Sequence, residues 1–114
     1  MAVRLKRVYD DPAPDDGFRV LVDRLWPRGL TKERAALGLW AKDAAPSTAL
    51  RQAFHRDGLP WDEFEASYRA ELAENPAVGA LRDELARHPV STLLYGAQDP
   101  ERNHAVVLLD VLEA

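Results

Sequence analysis

Residues 3–9, VRLKRVY, set Val3, Leu5 and the branched Val8 among basic residues, a pattern that predicts a short strand with one covered face. The segment that follows, DDPAPDDG at 10–17, holds two prolines, a glycine and four aspartates, and this composition forces a loop. Phe18 to Leu25 then reads FRVLVDRL, and its Val20-Leu21-Val22 run predicts a central strand buried on both faces. Trp26-Pro27-Arg28-Gly29 ends that strand. Pro27 has no N–H to donate, and Gly29 tolerates the positive φ of a tight turn.

From here the period changes to that of helices. Thr31 is placed to cap a short helical turn from Lys32 to Leu37, while Leu39 to Lys42 fits either a third short strand or an extended link. Ser47 caps a helix predicted to run to about Arg56, with Leu50 and Phe54 on one stripe, and Gly58 and Pro60 stop it. Trp61, Phe64, Tyr68 and Leu72 form the clearest amphipathic stripe, and all four, Trp61 included, are expected in the core. Asn75-Pro76 opens a further helix bearing Val78, Leu81 and Leu85, which is predicted to end near His88-Pro89.

Val90 to Tyr95 reads as a second central strand stopped by Gly96, and Asn103 caps a last helix through HAVVLLDVLEA. The Val-rich middle of that helix also allows a strand, and the cap favours the helix. Strands separated by helical stretches pair in parallel through crossovers. The expected fold is therefore α/β: one domain over 1–114, with a small, mainly parallel sheet of three or four strands covered by about four or five helices.

Composition narrows the chemistry. The chain of 114 residues is 46% hydrophobic and 30% charged, the balance of an ordinary folded domain rather than a disordered one. It has no cysteine, which excludes disulfides, thiolate metal sites and nucleophilic thiols. No stretch approaches the length of a membrane span and the amino end lacks a signal-peptide pattern, so the expected location is the cytoplasm and no membrane partner is expected. The net charge of -4 is uneven: the first 34 residues are net positive and the remainder net negative. That distribution argues against general nucleic-acid coating and leaves room for a local anion pocket.

In parallel sheets, ligands collect beyond the carboxyl ends of the strands, where loops converge and helix N-termini point their free N–H groups. Asp23, Arg24, Trp26, Arg28 and Lys32 follow the second strand, and Tyr95, Asp99, Asn103 and His104 follow the late one. The two groups are expected to face each other across a crevice. Arg24 and Arg28 suit a phosphate or carboxylate, because a guanidinium offers a fixed fork of donors. The competing reading has Arg24 paired with Asp23, Asp43 or Asp99 to tie loops together. His104 falls in the first turn of a helix, where a neutral imidazole suits a donor or base, although a capping or packing role is the favoured reading. Asp10, Asp11, Asp15 and Asp16 lack the alternation of a calcium loop, so no metal site is assigned. No P-loop, G-x-G-x-x-G, G-x-S-x-G or H-E-x-x-H is present, and no pattern names a cofactor.

The segments KRVYD, DGFRVLVDRLWPRG, LWAKDAAPS and LLYGAQDPERNHAVVL resemble the YeaO-like family of bacterial proteins, domain of unknown function 488. The resemblance runs from Leu5 to Leu112 and implies a compact α/β domain without an assigned activity. It brings Asp43 and Ser47 into the candidate set beside the strand-end residues. Three functions are then open. One is a small-molecule site for a nucleotide-like or other anion, held by Arg24, Arg28 and Lys32, with Asp99 or His104 moving a proton if there is catalysis. Another is a non-catalytic module that docks a protein partner through Trp26-Pro27-Arg28. The least favoured is nucleic-acid contact through Arg4, Lys6, Arg7, Arg28, Lys32 and Arg34.

Overall fold

A computed structural model describes residues 2–114. Four strands, β1 (Ala2–Arg7), β2 (Phe18–Leu21), β3 (Leu39–Trp40) and β4 (Val90–Tyr95), form one parallel sheet in the order β1-β4-β2-β3. Five helices accompany them: α1 (Lys32–Ala35), α2 (Thr48–His55), α3 (Trp61–Ala73), α4 (Pro76–Leu85) and α5 (His104–Glu113). The expected α/β class, strand number and helix number are all met.

The pleat divides the strands between two unlike layers. Leu5, Leu93 and Val20 stand side by side on one face, and there the apolar stripes of α2 to α5 close over them, with Phe64, Tyr68, Leu81, Leu85 and Leu108 buried. On the other face Leu21 and Leu94 meet Trp26, Leu30 and Leu37 from the segment between β2 and β3, and Trp40 of β3 itself. That face has no long helix. Lys6, Arg19 and Thr92 on this face are polar, and Asp16 covers them. Lys6 and Arg19 donate to the Asp16 carboxylate, and the Thr92 hydroxyl donates to the Asp16 carbonyl. Thus the aspartate loop is not wholly solvated: Asp16 is 5% exposed and ties the loop to three strands.

The same pairing accounts for much of the basic charge in the first third of the chain. Arg4 pairs with Asp15, Lys6 and Arg19 with Asp16, and Arg34 with Asp11. Arg4, Lys6 and Arg34 therefore each face a carboxylate rather than standing as an unopposed basic patch. Among the described residues no helix is long and apolar enough to cross a membrane.

Helix starts follow their caps. The side chains of Thr31, Ser47, Asn75 and Asn103 each accept from a backbone N–H in the first turn. At α5 this decides helix over strand. Asn103 Oδ1 accepts from Val106 N–H, and its Nδ2 donates to the Asp99 carbonyl at 2.7 Å. Asn103 is fully buried, so Asn103→Ala is expected to cost about 1–2 kcal/mol, from the lost cap and the orphaned Asp99 carbonyl. Urea unfolding followed by circular dichroism measures it.

Strand boundaries differ from expectation: β1 is Ala2–Arg7 rather than 3–9, β3 ends at Trp40 rather than Lys42, and β2 differs most. β2 stops at Leu21 rather than Leu25, because Asp23 turns the chain out of the sheet. Its carboxylate accepts from Gly96 N–H at 2.9 Å, and its carbonyl accepts from Trp40 Nε1 at 2.7 Å. Leu25, predicted in the strand, is 57% exposed. The helix after Asn75 ends at Leu85, short of His88.

Candidate functional site

β2 and β4 are neighbours, but their outgoing connections leave on opposite faces. The chain after β2 passes to the Trp26 and Trp40 layer, and the chain after β4 returns through α5 to the helical layer. Such a switch point opens a crevice at the carboxyl ends of the two strands. A recess of about 280 Å³ lies there, walled by Asp23 to Pro27 from one side and by Gly96, Ala97 and His104 from the other. Tyr9, Pro46, Arg51, His55 and Phe64 complete it. The two distant stretches singled out by sequence thus meet in one cavity.

The first carboxylate in this recess is held on two sides. Asp23 Oδ2 takes the Gly96 N–H, while Oδ1 lies 2.8 Å from His104 Nε2. That contact is close enough for an ion pair but lacks the direction of a hydrogen bond, so both atoms are buried without a directed partner. Asp23 and His104 are the link between the β2 and β4 ends, 81 residues apart in sequence. A side chain on Gly96 would bring its Cβ within 2.8 Å of Asp23 Oδ2, so this approach requires glycine.

Arg24 does not pair with Asp23, Asp43 or Asp99. Its Nε and Nη2 donate to the carbonyls of Pro46 and Ala45, which pins the α2 entrance to the β2 end, and the residue lines the recess. Neither reading of the sequence anticipated carbonyl partners. Arg51 differs again. Among the described residues its guanidinium has no ion pair and no hydrogen bond, and its Nε is buried. One helical turn on, His55 stands on the same side of α2. His55 is exposed on its outer side; partial burial, then the charges of Arg51 and His104, hold it below the usual histidine range, and Asp23 opposes them.

Arg51 and His55 were absent from the sequence reading. The signal existed: they lie one position beyond Leu50 and Phe54 with the same spacing, a basic pair bordering the apolar stripe. Beneath the recess Tyr68 donates to the Ala44 carbonyl at 2.6 Å, and burial keeps its phenol protonated.

The other predicted residues lie as follows. Trp26 lines the recess, and its Nε1 donates to the Leu30 carbonyl at 2.6 Å. Arg28 and Lys32 are exposed and do not line it; only the Arg28 backbone is engaged, accepting from the Tyr9 hydroxyl. Asp43 is exposed beside α4, away from the crevice. Ser47 is taken up by the fold: its hydroxyl and N–H both donate to Glu71, and its oxygen caps α2. Tyr95 is buried, with its phenol kept protonated by burial, and does not line the recess.

Asp99 and Asn103 line an adjoining cavity of about 530 Å³, with His55, Phe64, Gly96, Ala97 and His104 shared between the two. The Asp99 carboxylate accepts from Glu101 and Arg102 N–H groups, which hold it below the usual carboxylate range. Among the described residues no group of three or more histidine and carboxylate side chains converges as metal ligands do.

Fold and recess define a small parallel α/β protein with a cleft at its switch point lined by Asp23, Arg24, Arg51 and two histidines. Over residues 2–114 the chain matches the family model of the inactive DUF488-N3 subclade, and it belongs to that family. It is 45% identical over 114 residues to the uncharacterized protein YeaO of Escherichia coli (strain K12), covering 100% of this chain and 99% of that one. It is 44% identical over 110 residues to the uncharacterized protein Rv3073c of Mycobacterium tuberculosis (strain H37Rv), covering 96% and 92% of the two chains. No solved structure matches.

Proposed function

We propose that the protein binds a small anion, of the phosphate or carboxylate class, in the recess between the β2 and β4 ends, without transforming it. The observation that carries this reading is Arg51: a guanidinium with a buried Nε and no partner of its own, beside Arg24 and His55. An unpaired cation held in a cleft loses water without regaining hydrogen bonds, and an oxyanion restores them. Asp23 offsets part of this field, but Arg24 and Arg51 outnumber it, and its two oxygens already face His104 and the Gly96 N–H.

Binding without turnover agrees with membership of a subclade described as inactive. The proton-moving roles considered for Asp99 and His104 have less support. Asp99 is a turn residue already bonded to two N–H groups, and His104 faces a carboxylate that fixes its ring. The anion-holding set is Arg24, Arg51 and His55, with Arg28 and Lys32 outside it. Titration calorimetry with inorganic phosphate at pH 6.5 tests the reading: saturable binding is expected in the wild type and none in Arg51→Ala. Equal heats from both proteins, or no binding by either, contradict it.

A further inference from the structure

The cationic recess does not stand alone, and its neighbour has a different chemistry. Resting on the anion reading, we infer that the ligand is a phosphate monoester carrying a planar ring, of the nucleoside monophosphate class. The two cavities share His55, Phe64 and His104, so a ligand anchored in one extends directly into the other. The second is walled by Phe54 and Trp61, both only half-buried, over the buried Phe64. Trp61 was expected wholly within the core; as the first residue of α3 it instead keeps part of its ring at the cavity.

These rings form a ready surface. Phe54 lies 4.4 Å from Phe64 and 5.8 Å from Trp61, centroid to centroid, and Trp61 lies 5.5 Å from Phe64. Gln98 and Arg102, exposed at the same cavity, supply polar groups suited to the edge of a heteroaromatic ring. Of these two cavities, Arg24 and Arg51 line the first and not the second, and Phe54 and Trp61 the second and not the first. A bare anion leaves the aromatic half empty, and a neutral ring leaves the arginines unpaired. A single phosphate is indicated by the small cationic half and by the absence of any glycine-rich phosphate loop.

Calorimetry on the full chain with four probes decides it: inorganic phosphate, ribose 5-phosphate, phenyl phosphate and adenosine 5′-monophosphate. The adenosine compound is expected to bind about tenfold tighter than ribose 5-phosphate, the usual scale of one base stacked on an aromatic side chain. It is also expected to exceed phenyl phosphate. Trp61→Ala removes the gain and leaves the affinity for inorganic phosphate unchanged. If that variant does not fold, the Trp61 indole N–H resonance serves instead, moving with the adenosine compound and not with ribose 5-phosphate. Equal affinity of all four probes overturns the ring inference and leaves anion binding intact; phenyl phosphate matching the adenosine compound overturns the nucleoside class; no binding by any probe overturns both.

Discussion

Asp16→Ala is expected to lower the stability of the fold by about 3–5 kcal/mol, the scale for breaking a buried ion pair and leaving its partners uncompensated. The side chains of Arg19 and Asp16 are 6% and 7% exposed, so water cannot replace the lost carboxylate. Arg19 keeps its bonds to the Ala35 carbonyl, yet its charge and that of Lys6 then face each other across the strands with no anion between them. At roughly 4 °C per kcal/mol for a chain of this size, the melting temperature falls by about 12–20 °C. The effect depends on pH. Burial pushes the Asp16 carboxyl up, but the Ala13 N–H, Lys6 and Arg19 outweigh it and hold it below its ordinary 3.8. A depressed carboxyl stabilises the fold above its unfolded value, and the contribution disappears as pH drops through the folded value. The gap between wild type and variant should therefore be full at pH 7 and narrow below about pH 4, where urea titrations measure it.

Arg51→Ala is expected to abolish phosphate binding while leaving stability within about 0.5 kcal/mol of wild type. Truncating one partner of a desolvated charge pair costs about 2 kcal/mol or more, which weakens binding roughly thirtyfold. A bare phosphate bound in the millimolar range, about 4 kcal/mol, then escapes detection. The stability half of the prediction is as informative as the binding half. Arg51 ties nothing together, so its loss removes repulsion with His55 rather than support. Arg24→Ala should lose both properties, because its guanidinium also holds the Ala45 and Pro46 carbonyls. A denaturant curve and a calorimetric titration on each variant separate the two arginines. An Arg51 that proves structural would invert this pattern.

The elements were legible because their signals were local. Val20-Leu21-Val22, VSTLLY and the Trp61 to Leu72 stripe each carry their period within a few residues, and Ser47, Asn75 and Asn103 mark helix starts by the groups they offer. The position of the crevice was legible too, since it follows from a rule about strand ends rather than from any one contact. What escaped were pairings between distant residues. Nothing in DRLWPRG says that Asp23 will meet Gly96 and His104, and so nothing says that β2 must stop four residues early. Arg28 stands out in that motif, yet the turn that follows Pro27 carries it outside; Arg51, on an ordinary helix, lies within. Asp16 was indistinguishable from its three neighbouring aspartates because its partners, Lys6, Arg19 and Thr92, come from three separate strands.

The anion site is tested most directly by following the three histidine rings by NMR across pH 5–8, with and without saturating phosphate. His55 faces Arg51 on its own helix, His104 on α5 and Asp23 after β2, with Arg24 in the same recess, and its proton affinity is held down by burial and by the neighbouring positive charge. A phosphate among these groups must raise the His55 midpoint and shift the Gly96 amide. The His88 ring, stacked on Phe18 at the amino end of β2, should not respond. An unchanged His55 midpoint and a still Gly96 amide in saturating phosphate would contradict the account.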